Sequence, residues 1–410
     1  MRAVRIAVAT LAFTSTAAAS TELPLRYNAR SLAMGGTGVA FVDDASAIAI
    51  NPARLDWVPN FSAVATMAPF MPRNEVPFSE GTRQKGVRSV VPLFFAGAAG
   101  RVLERLTIGG AAYVVAGAGS EYEDIPEYNG LDMLLEVGVI EFAIPVAYRV
   151  TNELSVGVAL RGAYCFLTTD MPVDIGAGGP LRLEQSLSGF GAPGVMVGLS
   201  WHPSKNAAFG ATYRSKMTID LEGEGQATHA FFNTLCPGGT CDAEIESKFA
   251  TAHVVRFGAA VSFLEQRLTL ALDVSHALLS DSYEKLPLAI NLVDLPNTQV
   301  DPEITLGWRD SQALSFGTEY KITHTLAGRL GYQLTRSGTP NETASPLAPP
   351  PGTIHGFHAG AGYSLTDAMR VDLGGAYAFG GADVTRSVNG PKGRYDGDYI
   401  LLAGSFTYRN

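Results

Sequence analysis

Ala207-Ala-Phe-Gly-Ala-Thr-Tyr-Arg-Ser-Lys-Met-Thr-Ile-Asp220 alternates without interruption. Phe209, Ala211, Tyr213, Met217 and Ile219 fall on one face, and Gly210, Thr212, Arg214, Lys216, Thr218 and Asp220 fall on the other. A period of two is that of a β-strand, whose successive side chains point to opposite faces. Charges confined to one face predict lipid on one side and a polar lumen on the other. The pattern recurs outward from this stretch. Val156, Val158, Leu160, Tyr164 and Phe166 oppose Ser155, Gly157 and Arg161. Leu268, Leu270, Leu272 and Val274 oppose Thr269, Asp273 and Ser275, and Leu326, Leu330, Tyr332 and Leu334 oppose Arg329 and Gln333.

Composition agrees with a membrane wall built from strands. Only 17% of the 410 residues are charged and 45 are glycine, against about 25% charged and 7% glycine in ordinary soluble domains. No run of 18 apolar residues is present, so no helical span is expected. A closed barrel is the other structure that satisfies every backbone group in lipid. The net charge of -9 excludes a nucleic-acid partner, whose phosphates it would repel.

Connection lengths separate a barrel from a sandwich. Short polar joints recur near Glu104, Asn152-Glu153, Pro203 to Asn206, Glu265-Gln266, Thr323-His324 and Thr366-Asp367. Between them lie long segments: Met71 to Gly86, Glu121 to Met133, Thr169 to Arg182, Glu222 to Ile245, Ser282 to Asp310, Ser337 to Gly352 and Val384 to Arg394. Alternating short and long connections match periplasmic turns and outer loops. They imply an all-β chain, a transmembrane antiparallel β-barrel of about 14 strands, with both termini on the periplasmic side. A barrel of that size closes alone, so a monomer surrounded by outer-membrane lipid is expected.

Ahead of the strands come two segments of other character. Residues 1–20 carry Arg2 and Arg5, an apolar core from Ile6 to Phe13 and Ala17-Ala18-Ala19, the signature of a cleaved signal peptide. Residues 21–59 read as an N-terminal hatch, or plug, inside the barrel of residues 60–410. Gly35, Gly36 and Gly38 let this segment fold back with positive φ. Asp43-Asp44-Ala45-Ser46 caps a short apolar turn, and Asn51-Pro52-Ala53 ends it.

These three blocks, with Leu55, resemble the hatch of the FadL/TodX family of outer-membrane transporters. Gly210 to Gly223, Leu268 to Val274, Ala313 to Tyr332 and the last strands to Tyr408 resemble the same family, so the likeness covers the mature chain. It implies passive uptake of hydrophobic compounds, most of all long-chain fatty acids, with aromatic hydrocarbons as the other class. It implies a gate at Gly35, Gly36, Asp43, Asp44, Asn51, Pro52 and Ala53, and a place in the outer membrane of a Gram-negative bacterium. Lateral exit at a distorted third strand is a further implication, with Gly117 and Gly119 as candidate kink residues. The chain departs from the barrel norm in ending Tyr408-Arg409-Asn410, and the family's ligand-binding basic residues have no one-to-one match here. An alternative within the same superfamily is a secretion partner that binds a protein cargo, with Ser282 to Asp310 and Pro346 to Pro351 as docking loops.

Candidate substrate contacts are Phe231, Phe232 and Leu235, which would expose apolar surface in an outer loop, joined by Leu131 and Met133 to Leu135 before another strand. Cys236 and Cys241 in Cys-Pro-Gly-Gly-Thr-Cys read either as a disulfide staple of that loop or as two free thiols. Arg161, Arg214, Lys216, Asp220, Asp273, Glu319, Arg329, Arg370 and Asp372 are expected to face the lumen. They would brace the plug by pairing with Asp43, Asp44 and Arg54, or Arg214, Arg161 or Lys216 would hold a substrate carboxylate. Gly189 to Gly194 fits a dinucleotide fingerprint, but Pro193 and the following strand deny it a helix, so it reads as a bend. His355 and His358 point to opposite strand faces and make no metal pair. No catalytic motif, metal site or cofactor is expected, and the chain reads as a non-enzyme.

Overall fold

The computed structural model describes residues 28–174, 180–295, 299–300 and 303–410. Alternation produces strand after strand. β1 spans Phe61–Val76, β2 Gln84–Lys85, β3 Val91–Leu103, β4 Leu106–Ile125, β5 Leu131–Arg149 and β6 Leu154–Asp174. Then come long strands, each broken in two: β7 (Pro180–Phe190) with β8 (Gly194–Ser204), and β9 (Ala207–Arg214) with β10 (Thr218–Thr228). Likewise β11 (Thr240–Ala250) continues as β12 (His253–Phe263), and β13 (Leu268–Leu278) as β14 (Lys285–Leu292). β15 (Gln299–Val300) and β16 (Glu303–Thr305) precede β17 (Ser311–Lys321), β18 (Leu326–Arg336), β19 (Thr353–Ser364), β20 (Met369–Val384) and β21 (Gly393–Arg409).

The ring closes where β1 pairs antiparallel with β21, from Ser62↔Arg409 to Glu75↔Asp396. Counting each broken pair once, the wall is a closed antiparallel barrel of 14 strands. Closure leaves no edge with unpaired backbone in lipid. On β5 and β6, Phe142, Ile144, Val158 and Leu160 are 49 to 65% exposed while their neighbours Glu141 and Arg161 are buried. The exposed residues form the lipid-facing band and the buried ones face the lumen.

The breaks carry a correction. Residues 207–220 do not form one strand: β9 ends at Arg214 and β10 begins at Thr218. Phe209 and Tyr213 are exposed on β9, but Ile219 and Leu221 are buried on β10. The apolar stripe therefore changes sides across residues 215–217, as a one-residue offset in a period of two requires. Asp220 consequently faces outward, 3.3 Å from Lys248, and Lys216 bonds Asp281 at 3.1 Å, so neither faces the lumen as expected. The Gly189 to Gly194 motif is the matching break on the neighbouring strand. β6 pairs with β8 up to Arg161↔Gly194 and with β7 from Tyr164↔Phe190, and Pro193, which has no N–H, lies in the gap.

Beyond the breaks, β7 pairs with β10, β10 with β11 and β11 with β14, extending the wall outward. Much of what reads as long loop is therefore sheet. The short joints are turns, at 104–105, 150–153, 205–206, 264–267, 322–325 and 365–368.

Residues 28–58 lie almost wholly buried inside the ring. Helix α1 (Ala29–Ala33) is capped by Asn28, whose side chain accepts from Ser31 N–H, and α2 (Ala47–Ile50) precedes a 3-10 turn, Pro52–Trp57, capped by Asn51. Gly35 and Gly36 adopt φ of 74° and 85°. Gly38 does not. A Cβ there would stand 3.2 Å from Ile50 Cγ2, so its smallness serves close packing rather than a left-handed turn.

Candidate transport site

The floor of the site is the hatch, and the wall is shaped to receive it. A Cβ added at Gly157 of β6 would stand 2.4 Å from Ala53 N, and one at Gly210 of β9 would stand 2.4 Å from Val39 O. Glycines at these inward positions let the hatch backbone lie directly on the strands. Asn51 donates to Val39 O at 2.8 Å and to Leu199 O of β8 at 3.0 Å, while Ser155 Oγ donates to Ala53 O at 2.9 Å. Asn51-Pro52-Ala53 is thus bonded to the wall on two strands. On the opposite side Asp273 accepts from Gly38 and Val39 N–H at 2.9 and 3.1 Å.

Ion pairs then run between hatch and wall in alternating sign. Arg409 bonds Asp43 at 3.5 Å, Asp43 bonds Arg30 at 2.9 Å, Arg30 bonds Glu319 at 2.8 Å, and Glu319 bonds Arg329 at 2.6 Å. Arg329 bonds Asp372 at 2.7 Å, Asp372 bonds Arg370 at 2.7 Å, and Arg370 bonds Asp44 at 3.0 Å. Arg30, Asp43 and Asp44 belong to the hatch; the others belong to the wall. Burial alone would raise the Asp43 carboxyl, but Arg30 first, then Arg370, Arg409 and Arg54, outweigh it and hold the group well below the usual carboxylate range.

Above the hatch, Arg161 and Arg214 share one carboxylate, Glu141, at 3.0 and 2.5 Å, and all three side chains are at most 2% exposed. Tyr113 donates to the same Glu141. Glu141 lies on β5 and was not among the expected lumen charges. Its inward neighbours Val139 and Ala143 are apolar, so the strand shows no polar face. The usable signal was a carboxylate in a lipid-spanning strand, which is costly unless paired.

Over this cluster the lumen turns apolar. Leu167, Met171, Leu183, Leu187, Leu221 and Ile245 are all buried on the inner face of the extended sheet. Within that face Thr169 and Gln185 are cross-strand partners, and the buried Thr169 Oγ1 and Gln185 Oε1 have no hydrogen-bond partner among the described residues. This inner face combines apolar side chains with a few polar atoms, the usual lining of a small-molecule site.

The barrel wall is incomplete on one side. β3 pairs with β4 only as far as Phe95↔Tyr113, although β4 continues to Ile125. Among the described residues the next backbone bond across this side is Val87 N–H to Glu121 O, at 2.9 Å. The register of β4 against β5 slips between Val114 and Ala116. Gly117 and Gly119 are regularly paired with Gly138 and Glu136, and neither has positive φ. The irregularity therefore falls at Val115, not at the two glycines, because a bulge residue near the right-handed region does not require glycine.

At the outer end, Leu131 and Met133 line a cavity of about 320 Å³ with Tyr128, Met171 and Arg182. A disulfide joins Cys236 to Cys241, with Cα atoms 5.3 Å apart. Just before the bridge Phe231 and Leu235 are exposed, at 70 and 47%, and Phe232 is buried. Phe232 packs against His229, and Cys165 is a buried free thiol. His355 bonds Tyr332 at 2.8 Å and His358 is buried on the other face of β19.

A plugged, closed barrel with an apolar inner face and a lipid-facing band defines an outer-membrane channel for hydrophobic compounds. Residues 8–409 match the family model described as "Outer membrane protein transport protein (OMPP1/FadL/TodX)". The chain belongs to this OMPP1/FadL/TodX family, whose members are channels and transporters. Among solved structures it is similar to a Pseudomonas aeruginosa FadL homologue, at 18% identity and TM-score 0.79 over 95% of this chain and 100% of that one. It is also similar to the P. putida toluene transporter TodX, at 20% identity and TM-score 0.76 over 94% of this chain and 98% of that one. The Ralstonia pickettii toluene transporter TbuX matches at 16% identity and TM-score 0.75, over 93% and 98% of the two chains. No curated protein matches the chain.

Proposed function

We propose that the chain admits hydrophobic molecules bearing one polar end, long-chain fatty acids foremost, and releases them sideways into the membrane between β3 and β4. The observation that carries this reading is a barrel wall that lacks ladder pairing above Phe95↔Tyr113, beside an apolar inner face and above a pinned hatch. A molecule caught near Leu131 and Met133 would pass the outer sheet, rest with its polar end toward Thr169 and Gln185 or toward Arg161 and Arg214, and leave beside Leu93 and Val115. No energy source is required, because partition of the apolar chain into lipid at about 0.8 kcal/mol per CH₂ favours release. The polar atoms on the inner face favour an amphiphile over a plain hydrocarbon such as the toluene carried by the transporters TodX and TbuX.

The test is uptake of labelled oleate and labelled toluene by cells whose only such channel is this protein. Oleate uptake exceeding toluene uptake is expected. A Leu93→Cys/Gly117→Cys pair, placed where Leu93 Cδ2 lies 3.9 Å from a Cβ built at Gly117, should block uptake when oxidised and restore it when reduced. Uptake indifferent to the staple would rule out lateral release.

A further inference from the structure

The short-turn end of the barrel, which is its periplasmic end, holds a polar cavity of about 240 Å³ beneath the hatch. Arg30, Asp43 and Arg54 of the hatch line it with His202, Lys205, Glu319 and Lys321 of the wall. Arg54 is only 3% exposed. Its Nε donates to Val42 O at 2.9 Å, its Nη1 bonds Ser200 Oγ at 3.4 Å and the His202 ring, and its guanidinium lies over Trp57, 5.3 Å from the ring centre. Every one of these partners is neutral.

The contrast with the rest of the lumen is sharp. Arg30, Arg329 and Arg370 each touch two carboxylates. The acids in the cavity, Asp43 and Glu319, are both engaged by Arg30. Among the described residues no carboxylate lies within ion-pair distance of Arg54, Lys205 or Lys321. A chain with a net charge of -9 therefore gathers three cations around one small cavity without an ion-pair contact to any of them among the described residues. A buried charge without an ion-pair contact is costly, and burial, with Arg30, pulls the Arg54 guanidinium down from its usual range although Asp43 and Asp56 oppose the shift.

We infer that this cavity is an oxyanion site, with Arg54 as its base and Lys205 and Lys321 at its mouth, that takes a carboxylate or phosphate group. A planar guanidinium suits such groups, which it can bind with two parallel hydrogen bonds. The space fits a small anion and not an acyl chain. The transported molecule is not the occupant, since the cavity lies below the hatch and is polar. Arg54 belongs to the hatch, Lys205 to the turn after β8 and Lys321 to the end of β17, so a bound anion clips the plug to the rim from beneath. Two sources offer this chemistry: a free periplasmic anion, or an acidic side chain of a periplasmic protein. Occupancy stabilises the seated hatch by mass action in either case.

The test uses the folded full-length barrel in detergent, with hydrogen exchange read at hatch residues 28–58. Inorganic phosphate and a ten-residue glutamate peptide are titrated separately against chloride at matched ionic strength. Phosphate is expected to slow hatch exchange at least threefold, and the effect should vanish in Arg54→Gln and in Lys205→Gln/Lys321→Gln. The lysine pair is exposed, so that variant decides if Arg54→Gln does not fold. Peptide protection at lower concentration than phosphate assigns the site to an acidic partner segment, and the reverse order assigns it to a free ion. No protection by either probe, or protection that survives in the lysine variant, overturns the proposal.

Discussion

Glu141 shows what a single side chain decides in this lumen. It is fully buried, accepts from Tyr113, and faces both Arg161 and Arg214. Removing one member of a buried charged cluster costs far more than the cluster contributes, because it leaves charge without compensation. Glu141→Gln should lower barrel stability by about 3 kcal/mol, read as a shift of the urea midpoint for unfolding from lipid vesicles. An unmoved midpoint would mean that water already neutralises the two arginines. Asn51 acts on the hatch alone. Its side chain makes two donor bonds and caps the Pro52–Trp57 turn, so Asn51→Ala should cost roughly 2 kcal/mol of local stability. Hydrogen exchange should quicken through residues 28–58 and stay unchanged in β17 to β21; exchange that quickens everywhere would instead place Asn51 in the stability of the whole barrel.

At the scale of elements, alternation read from the residues gave the barrel and the inward charges on β6, β13 and β18, because each of those strands keeps one face from end to end through the membrane. Alternation could not show where strands break. Residues 215–217 preserve the period in letters while the backbone shifts by one position, so Lys216 and Asp220 change faces with no trace in the pattern. The lateral gap was equally hidden. Pairing between β3 and β4 ends at Phe95↔Tyr113 although β3 continues to Val91 and β4 to Ile125, and neither strand's composition records its partner. The disulfide loop is an element that does show locally, through Cys236 and Cys241 five residues apart. Cys236→Ser/Cys241→Ser should loosen that loop by about 2 kcal/mol, the value chain entropy gives for so short a ring. Exchange should rise from Ala230 to Thr240 and nowhere in the membrane band, and exchange equal in variant and parent would show the loop to be held by Phe232 packing alone.

Across the whole molecule, the alternating run from Arg409 through Asp43 and Arg30 to Asp44 ties hatch to wall with four arginines and four carboxylates. Its response to pH follows from the sign of the Asp43 shift. Burial, which would raise this carboxyl, is outweighed by Arg30 and then by Arg370, Arg409 and Arg54, so its folded value lies below its unfolded value of about 3.9. The stabilisation from a lowered carboxylate is fully present above the unfolded value and is lost as pH falls through the folded one. The hatch should therefore stay seated from pH 7 down to about 4, and loosen only in stronger acid. Limited proteolysis of the folded barrel at stepped pH measures this directly. In Asp43→Asn, which keeps the shape but leaves Arg30 with Glu319 as its sole carboxylate partner, cleavage within residues 28–58 should be faster already at pH 7. Its rate should then change less than the parent's as the pH is lowered past 4, because the titrating group has been removed. A parent hatch released near pH 6 would contradict Asp43 as the seat of the pH response, since its carboxyl is held below the ordinary carboxylate range.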